Sequence, residues 1–494
     1  MYRKHPILEE FGLPYGFERE VVKAAAHIRG EITPEDLEGR RDYRDVLTFT
    51  IDPAEAKDFD DALSLRRLEN GNLEVGVHIA DVSHYVEPDD PIDLEARDRG
   101  TSVYLVDRTV PMLPERLCND LCSLREGEDR LTFSAVFEMT SEARVRKSWL
   151  GKAVICSDHR LDYDSVQALI DDPEKAEGPV GEAVLLLNGL ARILRERRLK
   201  AGAVNFERPE LKFDVDATGK PLRVYKRESA EANWLVEEFM LLANRTVAEF
   251  VESKHKVFVY RVHDDPSPER VDALRSLARD FGYKTRGFGK VSSELNSLLS
   301  SARGTPEYST FESLVLRAMA RACYSTDNIG HYGLAFDAYT HFTSPIRRYP
   351  DLMVHRLLAH YLDGGRSASK SYFETECRYA SEREQIATEA ERASIKSKSA
   401  EYMRSREGQE FEGSISSLAE WGIYVELDGT GIEGMIPLKS IHSDYFDFDE
   451  KRFRLSGRRT HRKFRLGDRV KVRVKKVKLR ESLIDFELIE DNGK

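Results

Sequence analysis

With 494 residues, 40% of them hydrophobic, the chain can hold one large domain and smaller ones around a buried core. No apolar run approaches membrane-spanning length and the opening "MYRKHPILEEFGLPYG" has no signal-peptide core, which excludes a membrane helix and sets a cytoplasmic location as the expectation. Five scattered cysteines exclude a disulfide framework, and the close pair Cys118 and Cys122 lacks the second pair or the histidines of a zinc site.

Residues 1–45 read as a charged lead-in, with a helix expected over Phe17 to Arg29. "DVLTFTID" then alternates apolar and polar residues as a strand running into Asp52, and "DALSLRRL" resumes the alternation. "ENGN" at Glu69 to Asn72 makes a hairpin turn, and "LEVGVHIADVSHYV" reads as one more strand. Between the first two strands lies "TIDPAEAKDFDDAL", with Asp52, Asp58, Asp60 and Asp61. Two carboxylates about 5 Å apart repel by roughly 3 kcal/mol at an effective dielectric near 20. Either the segment is solvated or something positive sits among the carboxylates. A calcium loop of the helix-loop-helix kind fits poorly, because Ala54 and Ala56 fall at ligand positions and Lys57 falls where glycine is needed. A magnesium site and an acidic surface turn both stand at this point.

Strand texture continues to about residue 160, broken by a short helix near Pro91 to Arg99. Helices follow in "EAVLLLNGLARILRERRLKAG", which ends at a Gly202 cap, in "AEANWLVEEFMLLANRTVAEFVESKH" and over Phe311 to Ala322. "VHDDPSPERV" makes a turn before the next helix, and His78, His84 and His263 read as structural. In "HYGLAFDAYTHFTSPIRRYPDLMVHRLL", Ser344 is the expected N-cap and Pro345 the first helical residue, so Arg347 and Arg348 fall in the first turn. Cations there oppose the helix dipole by roughly 0.3–1 kcal/mol each. A phosphate held by the helix start and the guanidinium, or a structural carboxylate partner, would offset that cost. A long charged helix over about 371–406 leads to Gly408, after which the texture changes to short strands with glycines and a new domain begins. From Lys451 to Arg480, 15 Lys plus Arg face a single acid, Asp468, so the window carries +14 in a chain whose net charge is −11. So strong a local reversal looks like an electrostatic footprint for nucleic acid.

Taken together, "TIDPAEAKDFDDAL", "VGVHIADVSHYV", "ARDRGTSVYLVDRTVPMLP", "LCSLREGEDRLTFS" and "YTHFTSPIRRYPDLMVHR", in this order, resemble the ribonuclease II/ribonuclease R family of bacterial exoribonucleases, its ribonuclease R branch most closely. "GQEFEGSISSLAEWGIYVELDGTGIEGMIPLKSI" is similar to the opening strands of an S1-type RNA-binding barrel. The resemblance implies an α+β fold: a large mixed catalytic (RNB) domain of sheets packed with helices over 46–370, a connecting helix over 371–406, and an all-β five-stranded OB-fold domain of S1 type over 407–490. It implies a processive 3'-to-5' hydrolytic exoribonuclease that releases nucleoside 5'-monophosphates from single-stranded RNA or RNA with a 3' overhang and works as a monomer. Asp52, Asp58 and Asp61 would hold magnesium, in one or two ions, Asp60 would be indispensable for hydrolysis, and Arg347 would stabilise charge on the scissile phosphate. Tyr104 would stack on bases near the 3' end, Phe206 would face it across the stack, and Arg348 would contact RNA. The family usually carries cold-shock barrels ahead of the catalytic domain, and residues 1–45 are too short for one; a trimmed piece and a natural short form fit equally. The family's lysine-rich tail is also missing, and RNA capture is then expected to fall mainly to the C-terminal barrel.

Overall fold

The computed structural model describes residues 4–204, 206, 209–284, 290–305, 308–442, 444–449 and 454–489. Its frame is a seven-stranded sheet in the order Arg41–Asp42, Val145–Cys156, Asp129–Met139, Leu73–Ala80, Asp61–Arg67, Thr48–Asp52 and His159–Asp162. The central strands pair antiparallel, while the strands at both edges pair in parallel, Arg41 with Ala153 and Asp52 with Asp162. The alternation of "DALSLRR" does not leave one face wet at its centre, because Ala62, Leu63, Ser64 and Leu65 are all buried. This is the burial of a sheet covered on both sides.

The stretch "LEVGVHIADVSHYV" does not stay extended. The strand stops at Ala80, and Val82–Tyr85 form a helical turn. Asp81 causes the break: its fully buried carboxylate accepts hydrogen bonds from Lys152 and Arg40, and Ser83 donates to it as well. A strand continuing through Asp81 would pull that side chain out of its cage.

Helices Gly178–Ala201, Glu231–Glu252 and Tyr349–Leu362 contribute to the main core against the sheet. The first ends where Gly202 takes φ 114°, the left-handed conformation that a glycine cap adopts without strain. The region Phe311 to Ala322 yields the helix Tyr308–Ala318, which packs with Pro268–Asp280 and Val291–Ala302 into a separate apolar cluster. A single 35-residue helix, Lys370–Arg404, then runs from the catalytic part of the chain to the C-terminal domain.

That domain is a closed barrel of five strands, Glu410–Ala419, Gly422–Leu427, Glu433–Pro437, Arg469–Lys478 and Leu483–Leu488. Between its third and fourth strands a three-stranded sheet is inserted, Phe446–Asp449, Arg454–Gly457 and Lys463–Arg465. Leu455 and Phe464 of the insert are buried in the barrel core together with Ala400 and Met403 of the long helix and Val224 of the hairpin Glu210–Val215/Pro221–Arg227. The barrel is therefore docked on the rest of the chain through shared apolar side chains and the ion pair Lys226–Glu426 at 2.6 Å. All five cysteines are free thiols, and no helix among the described residues is long and apolar enough to cross a membrane.

Candidate active site

Asp52 ends one strand and Asp61 begins its antiparallel neighbour, so the acidic turn leaves the sheet and returns to it at two carboxylates. The turn is tied down from outside. Ser123 accepts the Phe59 N–H at 3.0 Å and donates to the Lys57 carbonyl at 2.7 Å, while Leu124 N–H donates to the Phe59 carbonyl at 3.0 Å. Arg160, on the strand beside Asp52, donates to the carbonyls of Pro53 and Ala54 and lies over the Phe59 ring. These contacts anchor the turn while Pro53, Ala54, Glu55 and Lys57 stay exposed, and they hold the carboxylates against their mutual repulsion.

Burial and the neighbouring carboxylates push Asp52 up from the usual carboxylate range, and Asp61 rises with it, again chiefly through burial, with Arg347 and Arg348 pulling it back. Asp52 Oδ2 is buried without a hydrogen-bond partner, as is Oγ1 of nearby Thr50. Asp60 is buried and pushed well above the usual carboxylate range by loss of water, against the opposing pull of Arg347 and of the Ile346 N–H, which donates to Oδ1 at 2.9 Å. Tyr163, the first residue of the following helix, feels the charges of Asp61 and Asp52 and has its hydroxyl pushed up, mainly by burial.

The segment "THFTSPIRR" faces this turn, but not as the start of a helix. The helix begins at Tyr349, with Pro350 in its first turn, and Arg348 is the extended residue before it (φ −135°, ψ 121°). Two carboxylates take the amides that a helix would have left to solvent: Asp351 Oδ1 accepts the Ser344 N–H at 2.7 Å and Asp60 accepts that of Ile346. Arg347 thus sits in a tight turn, its Nε 3.7 Å from Asp60 Oδ2, its Nη2 donating to Ser344 Oγ at 3.1 Å, and its side chain 44% exposed. Arg348 goes elsewhere. It forms a two-pronged pair with Asp351, at 2.9 and 2.7 Å, and its backbone bridges to Thr101. The platform beneath is rigid, since Phe342 is fully buried edge-to-face on Phe133 and its N–H donates to Asn244 of the Glu231–Glu252 helix at 2.8 Å.

Tyr104 closes another side. It is 41% exposed, its hydroxyl lies 3.4 Å from Asp58 Oδ2, and its N–H donates to Glu391 of the long helix at 2.9 Å. Phe206 packs on the separate helical cluster, and no contact among the described residues joins it to Tyr104. The structure therefore brings together Asp52, Asp58, Asp60, Asp61, Arg347 and Tyr104, sets Arg348 behind them as a structural cation and leaves Phe206 apart. Sequence reasoning missed Ser123, Arg160, Asp351 and Glu391. The partners of Ser123 and Arg160 are distant in the chain, those of Asp351 are near but need the Arg348 turn to meet it, and Glu391 on a charged helix has no local signal at all.

The donor set suits a hard divalent cation. The carboxylates do not converge into a closed cage of three ligands among the described residues. Magnesium is commonly held by one or two carboxylates, with waters and substrate phosphate completing its shell. Asp52, with an oxygen that has no hydrogen-bond partner, and the neighbouring Asp61 offer carboxylate oxygens of that kind.

Residues 40–364 match the RNB domain family and residues 404–488 the S1 RNA binding domain family. Ribonuclease R 1 of Lactococcus lactis subsp. lactis is 40% identical over 98% of this chain and 60% of its own length. Ribonuclease R of Thermotoga maritima is 40% identical over 99% of this chain and 70% of its own. The chain thus spans well short of the full length of these relatives. A solved structure of Mycoplasma genitalium RNase R in complex with ribose methylated single-stranded RNA superimposes with a TM-score of 0.91 at 28% identity, covering 98% of this chain and 77% of that one. The fold alone is shared with yeast Ssd1, a pseudonuclease, at a TM-score of 0.71 and 23% identity, over 86% of this chain and 53% of that one. With the RNB match spanning most of the chain and ribonucleases R aligned along nearly all of it, this chain belongs to the RNB family, in its ribonuclease R branch, and bears an S1 domain behind the catalytic one.

Proposed function

We propose that this chain is a 3'-to-5' hydrolytic exoribonuclease that binds single-stranded RNA, or RNA with a 3' overhang, and releases nucleoside 5'-monophosphates processively with magnesium as its cofactor. One observation carries the reading: a turn whose Ile346 N–H is bound to Asp60 holds Arg347 Nε 3.7 Å from the buried Asp60 carboxylate and close enough to Asp61 for its charge to pull that carboxyl down. A pseudonuclease can keep the fold; the apposed aspartates and arginine are what hydrolysis requires beyond it.

Asp52 and Asp61 would hold magnesium, with Asp58 at the edge of the site. When bound, the ion supplies Lewis-acid neutralisation of phosphate charge and acidifies water. Asp60 fixes the Arg347 turn through the Ile346 N–H and sets its own carboxylate 3.7 Å from the Arg347 Nε. Arg347, half-exposed, offers its remaining guanidinium donors to the phosphate oxygens, where charge-assisted hydrogen bonds are strong. Tyr104 offers an exposed ring to a base, and such stacking is worth about 1–3 kcal/mol per base whatever the sequence. Arg348, tied up by Asp351, positions the turn and is not a direct RNA contact in this reading.

Digesting matched RNA and DNA oligomers, labelled at the 5' end, with magnesium and then with a chelator tests the proposal. The expected result is stepwise shortening of RNA alone, only with magnesium, and mononucleotides bearing 5' phosphate. Equal digestion of DNA, or internal cuts, overturns it.

A further inference from the structure

The basic window of the C-terminal domain divides into two parts of different character. On the barrel strand Arg469–Lys478 the cations other than the exposed Lys476 are answered by acids on neighbouring strands. Arg473 and Lys471 pair with Glu410, Lys475 with Glu487, Arg469 with Asp428, and Lys478 with Asp485. Ion pairs between exposed groups contribute little to stability, but they matter for binding, because a cation already neutralised by a neighbour neutralises an RNA phosphate poorly and so displaces few of the counterions condensed on the RNA.

The inserted sheet is built differently. Its inner face, through Leu455 and Phe464, is buried on the barrel. On the other face the register sets Arg454 opposite Arg465, and Ser456 opposite Lys463. Like charges directly across a strand pair repel. Arg454 has one ion pair, with Asp449 at 3.4 Å, and its buried Nε has no hydrogen-bond partner. The turn that joins the second and third insert strands is held by one carboxylate. Asp444 accepts the N–H of Arg459 and, at 2.6 Å each, both the N–H and the hydroxyl of Thr460. Gly457 makes room for it: a Cβ there would lie 2.3 Å from Asp444 Oδ2. The exposed ring of Tyr445, 82% accessible, stands next to this buttress. Asp449 and Asp447 on the same face are taken up by Arg454 and Arg458, which leaves the exposed Lys463 and Arg465, without an ion pair among the described residues, beside a rigid turn and an unburied aromatic, an arrangement complementary to a phosphate backbone.

We infer that the outer face of the insert, Arg454, Lys463 and Arg465 with Tyr445 beside it, is the phosphate-backbone seat through which the C-terminal domain holds RNA, and that the barrel strand Arg469–Lys478, Lys476 apart, is largely neutralised by its own acids. The inference rests on the proposed RNA substrate and assigns its electrostatic contact to the insert.

The test uses the full chain in chelator, so that RNA is not cut, and fluorescence anisotropy of a labelled oligoadenylate of about 20 nucleotides over a salt series. Two double variants remove the same number of charges: Lys463→Gln with Arg465→Gln on the insert, and Arg473→Gln with Lys475→Gln on the barrel strand. Each phosphate contact on a single strand contributes about 0.7 to the slope of log K against log salt. The insert variant should therefore lose about 1.4 from the slope, and the barrel variant less than about 0.4. All four side chains are exposed, and unchanged thermal melting confirms that both variants are folded. A slope lost equally by both variants, or only by the barrel variant, overturns the assignment while leaving RNA binding intact. A wild-type chain that does not bind the oligonucleotide overturns the RNA reading itself.

Discussion

Asp60 combines two duties in one carboxylate, and a substitution that keeps its shape separates them. Asp60→Asn retains an oxygen for the Ile346 N–H but removes a negative charge from beside Arg347 and the phosphate path. Hydrolysis should fall below a tenth of wild type while RNA affinity holds or rises, as read by product gels and filter binding in parallel; turnover above that level would remove Asp60 from the chemistry. Elsewhere a buried residue makes the fold acid-sensitive. His78 is fully buried between Ser64 Oγ and Ser134 Oγ, each at 2.8 Å, and burial lowers its pKa to about 3 from an ordinary 6.5. The unfolded chain takes up this proton first, so the stability that neutral His78 contributes is complete above pH 6.5. It is lost as the pH falls toward 3, at up to about 1.4 kcal/mol per unit. Denaturant melts between pH 7 and 4.5 should show a shallower fall for His78→Gln than for wild type. Parallel curves would mean that other groups dominate acid unfolding.

At the scale of elements, the turn carrying Arg347 depends on Asp351, which is fully buried and serves both Arg348 and the Ser344 N–H. Asp351→Ala leaves Arg348 without its counter-charge, and breaking a buried pair in this way costs about 3–5 kcal/mol. Denaturation midpoints should show that loss together with a fall in kcat larger than the change in KM; a loss under about 1 kcal/mol would mean that the turn stands without its anchor. The strand Val103–Tyr104 is likewise secured to the long helix, through Glu391 at Tyr104 N–H and Ser394 at Val106 N–H. Tyr104→Ala should leave the backbone in place and remove only the ring. The shortest RNA fragment left undigested should then lengthen, and an unchanged limit product would reduce Tyr104 to packing. The acidic turn, its flanking strands and the helix Pro91–Arg99 were legible because each is written in a contiguous pattern. The start of the helix after Arg348 was misread for a physical reason: Ser-Pro is a sound local cap, and only Asp60, far upstream in sequence, and Asp351, a full turn downstream, overrule it. The division of the basic window was equally invisible, since alternation marks exposed cations but does not show which acids lie across the sheet.

On the scale of the whole molecule, a cleft of about 1360 Å³ separates the outer helices from the barrel, with Lys226, Arg270, Arg317, Arg321 and Arg392 outnumbering Glu426, Asp428 and Glu433 among its walls. The excess of cations favours entry of a polyanion. A duplex with a single-stranded 3' overhang should therefore be shortened past the junction by this chain, one strand being drawn in, and gels that show arrest at the junction would refute that expectation. The domain layout expected from sequence, a mixed sheet-and-helix body followed by a five-stranded barrel, is the layout observed. What sequence did not reveal is how the two are joined, because the hairpin residues Leu211, Phe213 and Val224 look like an ordinary edge until the barrel is seen to cover them.

The helix Lys370–Arg404 makes the enzyme a measuring device. One rod holds Glu391 under Tyr104 and ends with Met403 inside the barrel core, 12 residues or about 18 Å further along its axis. Under the proposed function, a strand of RNA long enough to span that interval would be gripped at both ends at once, the second grip acting at the high effective concentration set by the first. Once the strand were shorter than the rod's interval, only one grip would be left and release would overtake cutting. The length at which digestion stops would then be a property of helix geometry, and lengthening the rod by two turns between Glu391 and Met403 would move the stopping point outward without touching a single catalytic atom.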